Sequence, residues 1–554
     1  MMQYFYPWFK LDNLNSFVVL AIGVFFALTI IYSFRFMQGR QRLIQYYTYI
    51  ALTALASIGV VLANNLILLL VFWGFLGLTL YLLINMGEDA SAVAKKTFII
   101  VGGTDALMLL GIGIIYYLTG TLQMDGIKLE FNNGLTVFAY LCIAVACFAK
   151  AGAMPFHSWI PDCAQSAPVP VVAYLPASLD KLLGIYLLAR ISLNLFLMNE
   201  ALNIFLMLIG AFTIIAAVMM ALVQHNMKRL LGYHAVSQVG YMILGIGTGN
   251  PIGIAGGIFH MLNHAIYKSC LFFTSGNVEY RSHTTELDEL GGLAKVMPFT
   301  YISALIASLS ISGVPPFNGF VSKWMIYQGL ISQLTVNSVQ VTAQKFVIIL
   351  CLVAAMFGSG LTLASFMKLI HAVFLGQSKD SRSKESSGEV NWMMWLPCLI
   401  LAIICVIFGV FAYEVPLKYF ILPTVKGVTF IGTWYAGLST LLVIIGLISG
   451  LLIFKLRWLR PTLRQDAPFV GAEAIDLKQD RVTGTEFYNT VKEFGILRGI
   501  YKKAEAGFFD IYEQGKNIVF GIGKPLQHLH NGILPTYLVW MLLGMIVLFL
   551  VLFR

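Results

Sequence analysis

The chain has 554 residues, of which 58% are hydrophobic and only 11% charged, against roughly a quarter charged in soluble domains. With a mean hydropathy of +0.81, apolar side chains must face something other than water along most of the length, which excludes a soluble globular protein and predicts an all-α polytopic membrane protein. The net charge of +10 rests on 36 basic and 26 acidic residues. Of these, 21 lie between Lys455 and Lys524, so a charge-poor body carries a polar appendage near its C-terminus. Membrane proteins gather basic residues in cytoplasmic loops for topological reasons, and those here form no stacking platform or groove motif, so nucleic acid is not an expected partner.

The seven cysteines (Cys142, Cys147, Cys163, Cys270, Cys351, Cys398 and Cys405) lie scattered in apolar stretches without a CxxC pair, a pattern that predicts no iron-sulfur, zinc or disulfide role. No dinucleotide or phosphate fingerprint is present, so no cofactor is expected in this chain, and any electrons are carried by another. The N-terminus reads straight into a spanning helix rather than a cleavable signal.

Apolar runs of about 20 residues cross roughly 30 Å of hydrocarbon as helices. Fourteen are expected, at 15–35, 45–64, 65–86, 97–118, 135–164, 168–190, 203–224, 229–248, 252–275, 298–327, 343–374, 392–413, 434–457 and 534–553. The distribution of basic residues agrees with this count, since one missed helix would invert every later loop. Alternate loops carry Arg35, Arg40 and Arg42; Lys95 and Lys96; Lys228 and Arg229; Arg281 and Lys295; Lys379, Arg382 and Lys384; then Lys455, Arg457, Arg460 and Arg464. The opposite loops hold few: Lys128, Arg190, Lys418 and Lys426. The N-terminus is therefore expected outside and the polar appendage inside.

The fifth and tenth helices are overlong and interrupted by similar Gly-Pro-Phe elements, from Lys150 to Phe156 (KAGAMPF) and from Ser312 to Phe317 (SGVPPF), with Lys323 following. Proline removes a backbone hydrogen bond, and non-helical backbone at membrane depth survives only where it lines protein or water. An offset of five spans gives the two breaks opposite directions, as in an inverted-topology repeat built on discontinuous helices, although two unrelated kinks would look the same. From Glu486 to Ile522 apolar residues recur at Phe487, Val491, Phe494, Leu497, Tyr501, Ala504, Phe508 and Ile511. These steps of three or four predict an amphipathic surface helix of about 57 Å if continuous. Gly495, Gly499 and Gly507 weaken that continuity.

Ionisable residues at membrane depth cost several kcal/mol and are paired, hydrated or functional. In the ninth helix His260, His264 and Lys268 share one face at i, i+4, i+8. Histidine titrates near neutral pH, so such a row can hand protons along with intervening water; a structural polar network and a two-histidine metal site are the alternatives, the latter without a third ligand. Lys150 and Lys323 lie beside the breaks, where freed carbonyls can solvate an ammonium, and their roles are expected to be equivalent. Asp105, Asp180 and Lys181 are the buried partners in the first half. Lys228, next to Arg229, is either an interfacial snorkelling residue or a relay member. Lys368 and His371 read as snorkelling, and His157 and Asp162 as an entrance or a salt-bridged loop. No Asp, Glu, Lys or Arg occurs between Leu230 and Tyr267, so the charges present read as a lateral row of titratable groups joining two half-channels.

The segments 150–162 (KAGAMPFHSWIPD), 228–241 (KRLLGYHAVSQVGY), 259–268 (FHMLNHAIYK) and 312–323 (SGVPPFNGFVSK) resemble the antiporter-like, proton-conducting subunits of respiratory complex I, Mrp cation/proton antiporters and membrane-bound energy-converting hydrogenases. The resemblance covers roughly Asn64 to Gly376. It implies inverted five-helix repeats with a central lysine in each, here Lys150 and Lys323, the first modulated by a carboxylate, and a His/Lys link between the halves. It also implies that the surface strap is a lateral helix bracing neighbouring subunits. Two features depart from the pattern. The glutamate usual after the third-helix tryptophan is absent from Phe72-Trp73-Gly74-Phe75, which leaves Asp105 or Asp180 as substitutes; and one helix, not three, precedes the bundle.

The organisation this implies is an N-terminal helix and loop (1–44), a first repeat (45–190), a second repeat (203–374), a C-terminal helix pair (392–457), a polar segment with the lateral helix (458–533) and a terminal transmembrane anchor (534–554). The expected function is proton or sodium translocation as the non-redox subunit of a hetero-oligomeric, redox-driven oxidoreductase of hydrogenase or ferredoxin-linked type. Iron-sulfur clusters, with nickel-iron or flavin as further candidates, would sit in the partner membrane and peripheral subunits. The alternatives are a redox-independent Mrp-type antiporter subunit, a NADH-quinone oxidoreductase subunit, or a non-pumping membrane partner of an inorganic-carbon uptake system.

Overall fold

A computed structural model describes residues 8–336, 343–376, 388–430, 432, 435–458 and 485–553. Lys379, Arg382, Lys384, Arg460 and Arg464, together with the segment 459–484, lie outside the described residues. All fourteen expected segments are helical. They comprise α1 (Asn13–Phe36), α2 (Leu43–Leu62), α3 (Leu66–Ile84), α4 (Ser91–Thr119), α5 (Gly134–Ala151) continued by α6 (Trp159–Ser166), and α7 (Val169–Tyr174) continued by α8 (Asp180–Arg190). Next come α9 (Glu200–Leu222), α10 (Met227–Gly247), α11 (Pro251–Ser282), α12 (Pro298–Ser312) continued by α13 (Asn318–Val336), α14 (Ala343–Ile370), α15 (Trp392–Val410) and α16 (Ala436–Trp458). After α17 (Glu486–Glu493), the chain from Gly495 onward forms a separate compact unit of α18 (Gly495–Glu505), α19 (Ile511–Leu529) and α20 (Leu534–Leu552).

Ten of these spans, with Val169–Leu195 taken as one, are long and apolar enough to cross a membrane. The others fall short for physical reasons. α10 and α11 carry Lys228, His234, Gln238, His260, Asn263, His264 and Lys268, all buried, in helices that are wrapped by protein along most of their length. Lipid does not touch those side chains, so such helices need not be apolar. α12 and α13 are the halves of a broken span, and the apolar part of α16 is short. At the other extreme, every residue from Val169 to Ala189 is buried, which places α7 and α8 at the centre of the bundle.

Both breaks form where expected, and glycine supplies the stop. α5 ends on Gly152 at φ 78° and α12 on Gly313 at φ 82°, left-handed C-caps that a side chain would strain. Each is followed by a cis X-Pro peptide, Met154–Pro155 and Pro315–Pro316. The span 168–190 contains a π-helical turn at Leu175–Leu179 between α7 and α8. The amphipathic segment is not one continuous rod. It divides into three helices, interrupted at Phe494, whose backbone is extended, and around Gly507 at φ 76°. Of the three glycines flagged in the sequence, Gly499 is accommodated within α18.

Between helices surrounded by lipid the hydrophobic drive largely vanishes, and close approach through small residues carries association. α9 and α10 illustrate this. A Cβ on Gly210 would lie 2.7 Å from the Gly240 carbonyl oxygen, and one on Gly240 2.6 Å from that of Gly210. On the other side of α10, a Cβ on Gly245 would lie 2.8 Å from both the Gly253 oxygen and Gly257 Cα of α11. Met207, Ile214, Tyr241, Leu244, Ile326, Leu330 and Cys351 then join α9, α10, α13 and α14 in one core.

Candidate functional site: a buried polar row

The row begins between α3, α4 and α5. Lys150, at the end of α5, is fully buried, and its Nζ lies 5.3 Å from the centre of the Trp73 ring with no hydrogen-bond partner among the described residues. On the indole edge, Trp73 Nε1 donates to Asp105 Oδ1 at 3.0 Å. One aromatic side chain thus supports the amine on its face and holds a carboxylate on its edge, and Asp105 and Lys150 interact electrostatically. Gly74, where the family's glutamate would stand, has open space at its Cβ position.

Asp180 and Lys181 open α8 just after the π-helical turn, both buried; neither Asp180 oxygen nor the Lys181 amine has a hydrogen-bond partner among the described residues. Asp180 lies in the field of both Lys150 and Lys181. Lys181 Nζ is 5.2 Å from the Trp159 ring and 3.6 Å from where a Cβ of Gly152 would be.

At the second break, Lys323 Nζ donates to the carbonyl oxygens of Ile311 at 2.9 Å and Ser312 at 3.5 Å, and stands 4.5 Å from the Tyr241 ring centre. Lys150 and Lys323, expected to be equivalent in role, differ in their surroundings. Freed carbonyls hold Lys323, whereas an indole face holds Lys150. A Cβ of Gly313 would lie 3.7 Å from Lys323 Nζ, so the amine placed against the break glycine, as Lys323 is, is Lys181 in the first half.

α11 joins the two clusters. His260 shares hydrogen bonds through Nδ1 with Ser322 Oγ at 2.9 Å and through Nε2 with Gln238 Oε1 at 3.1 Å, and it lies in the field of Lys323. Neither nitrogen of His264 has a hydrogen-bond partner among the described residues; its electrostatic neighbours are Lys268, Lys181 and His260. Lys268 Nζ donates to the Leu231 carbonyl at 2.7 Å and feels Lys181. The three α11 residues thus reach both breaks from one helix.

Several readings change at the end of the bundle that carries the basic loops. Lys228 is only 5% exposed and pairs with Glu279 Oε1 at 3.0 Å, while Arg229 turns to Asp162, 4.0 Å away, so the two neighbours do not snorkel together. Asp162 also binds Lys96 at 2.7 Å, a salt-bridged loop just beyond the first break. Lys368 does not snorkel: it is 4% exposed, and its Nζ donates to the Leu222 and Gln224 carbonyls at 2.6 and 2.9 Å. Trp73, Gln238, Ser322, Tyr241 and Glu279 were not singled out from sequence as site residues. Trp73 stands in the third-helix motif, and its place before Gly74 was the signal that could have drawn it in.

A broken-helix bundle with a lysine and histidine row buried across its middle defines an ion-translocating type of membrane protein. Residues 63–343 match the family described as NADH:quinone oxidoreductase/Mrp antiporter, transmembrane, and the chain belongs to that family, whose members include antiporter-like subunits of Mrp and complex I-related assemblies. It is 32% identical over 427 residues to the Na(+)/H(+) antiporter subunit A1 of Staphylococcus haemolyticus, covering 72% of this chain and 52% of that one. The subunit A1 of Staphylococcus aureus is 32% identical over 428 residues, again 72% and 52%. The chain spans about half the length of these curated relatives. Among solved structures, a chain of the membrane-bound sulfane sulfur reductase, an archaeal respiratory membrane complex, superposes with a TM-score of 0.77 at 24% identity, covering 98% of this chain and 89% of that one. A chain of the Mrp complex from a Dietzia species gives 0.66 at 21%, covering 73% and 82%. The protein is therefore an integral membrane, antiporter-like subunit of the Mrp and complex I-related type, and the structural neighbours are parts of multi-subunit membrane complexes.

Proposed function

We propose that this chain moves protons across the cytoplasmic membrane of a prokaryote as one subunit of a hetero-oligomeric complex, along Asp105, Lys150, Asp180 and Lys181, then His264, Lys268 and His260, to Lys323, with Lys228 loading the row from its basic end. The observation that carries the reading is the succession of titratable groups in one another's fields from the Trp73-bridged pair to the second break: Asp105 and Lys150, Lys150 and Asp180, Lys181 with His264 and Lys268, and His260 with Lys323. Burying several amines costs several kcal/mol each, and a structural network would satisfy them with partners. Lys150, Lys181 and His264 instead have no hydrogen-bond partner among the described residues, which suits groups that exchange protons through transient water.

The curated relatives favour a cation/proton antiport of Mrp type, with sodium or another monovalent cation as the exchanged ion. A second reading, a redox-driven pump whose iron-sulfur centres sit in partner subunits, is supported by the nearly end-to-end fold match to a chain of a respiratory complex. Purifying the tagged complex from native membranes, identifying its subunits and metals, and assaying transport in vesicles separates the two. Antiport predicts proton movement driven by an imposed sodium gradient without added reductant. The redox reading predicts iron-bearing partners and transport only with electron donor and acceptor. Full transport in either the Lys150→Ala or the Lys268→Ala complex would overturn the proton row under either reading.

A further inference from the structure

Close to the carbonyl that holds Lys268, α10 places a histidine that the row above does not use. Lys268 donates to the Leu231 carbonyl; one helical turn nearer the centre of α10, His234 Nε2 shares a hydrogen bond with Ser365 Oγ of α14 at 2.8 Å. His234 is fully buried, and its second nitrogen, Nδ1, has no hydrogen-bond partner among the described residues. Lys268, Lys368 and Lys323 all act on it electrostatically.

From Ser365 the path continues on the same helix. Lys368 lies three residues on, about 4.5 Å along the axis, with its amine on the last carbonyls of α9 and in the field of Asp288. Asp288 pairs with His225 Nδ1 at 2.7 Å and accepts from the Thr485 hydroxyl. The His225 and Asp288 side chains are 32% and 37% exposed, so the series ends in water.

We propose that the second repeat has its own proton access from the basic end, running from the His225–Asp288 pair through Lys368, Ser365 and His234 to Lys268. The inference rests on the proton reading of the row and adds a branch that bypasses Lys150. Each transfer conserves the proton. The Lys368 ammonium gives one through an intervening water to the Ser365 hydroxyl as that hydroxyl gives its own to His234 Nε2; His234 then releases the proton on Nδ1 through a second water to a neutral Lys268. An imidazole can do this because it accepts on one nitrogen while donating from the other.

The test uses the intact tagged complex in membrane vesicles. His234→Gln keeps a polar group able to meet Ser365 but cannot pass a proton, so it is expected to slow transport tenfold or more with subunit composition unchanged, as is His234→Phe. A purely structural histidine predicts that His234→Gln transports normally, and that result would overturn the branch. Independently, Ser365→Cys is expected to react with methanethiosulfonate ethylammonium added at the basic face only, above the background set by the seven buried native cysteines. A Ser365→Cys complex inert from both faces overturns the branch even if the His234 variants fail to assemble. Normal His234→Gln together with an inactive Lys268→Ala removes the branch alone, whereas a fully active Lys268→Ala complex removes the proton row itself.

Discussion

Replacing Asp105 with asparagine tests the Trp73 bridge directly. The amine of Lys150 stands 5.3 Å from the indole centre and the carboxylate 3.0 Å from the indole nitrogen, so the two charges are at most about 10 Å apart, where an opposite charge contributes about 1.7 kcal/mol at an effective dielectric near 20. Removing it forfeits that attraction, a factor of roughly sixteen at about 1.36 kcal/mol per tenfold. If Lys150 carries the first proton of the row, the initial rate of pH-gradient formation in vesicles containing the Asp105→Asn complex is expected to fall about tenfold, with subunit stoichiometry unchanged. Trp73→Phe keeps a ring under the amine but deletes the indole donor to the carboxylate, and is expected to give an intermediate rate. Because both act through one link, the double variant should be no slower than Asp105→Asn alone, a non-additivity that independent sites do not show. Wild-type rates for Asp105→Asn between pH 6 and 9, or additive losses in the double variant, would refute the reasoning.

Gly74→Glu is expected to assemble normally, because nothing occupies the space at its Cβ, and to recover part of the rate lost in Asp105→Asn by returning a carboxylate beside Trp73; an unchanged rate in that double variant would show that this position no longer faces the lysine. Lys323→Met leaves the Ile311 and Ser312 carbonyls without their donor and is expected to abolish transport while the complex still purifies whole. Lys228→Met strands Glu279 at the basic end and is expected to slow transport severalfold, with partial recovery in Lys228→Met/Glu279→Gln. Gly240→Leu drives a side chain into the Gly210 carbonyl and the Ile214 backbone, an overpacking that costs about 1–3 kcal/mol or more, seen as a lowered melting temperature of the detergent-extracted complex.

The spans, both breaks and the His260, His264 and Lys268 face were legible because each follows from periodicity, from a Gly-Pro interruption or from charge in an apolar run. What the pattern did not yield is partnership. Lys268, Lys323 and Lys368 are held by main-chain carbonyls of Leu231, Ile311 and Leu222, and a carbonyl leaves no mark in a sequence. Ser322 and Gln238 meet His260 from two other helices, and polar residues so far apart in the chain carry no common spacing. The inequality of Lys150 and Lys323 was hidden for a related reason. Each lies near a break in the sequence, but one precedes its glycine and the other follows it, and only the fold shows that Lys181 stands where Lys323 would lead one to look. In the strap a regular apolar stripe continues across a backbone that breaks at Phe494 and Gly507, beside two of the three glycines that weaken its continuity in the sequence.

The glycine contacts described for α9, α10 and α11 leave no clearance for one helix to slide against another. Gly210 abuts Gly240, and Gly245 abuts Gly253 and Gly257, backbone against backbone. A rocking motion that exposed the row first to one side and then to the other would have to prise these seams apart and forfeit their dispersion contacts at every turnover. On the proton-row reading, this packing assigns α9, α10 and α11 the part of a stator. Whatever alternates in it is small: a ring turning, an amine swinging off a carbonyl, a few waters arriving and leaving. A crosslink fixing α9 to α10 should therefore leave the turnover rate untouched.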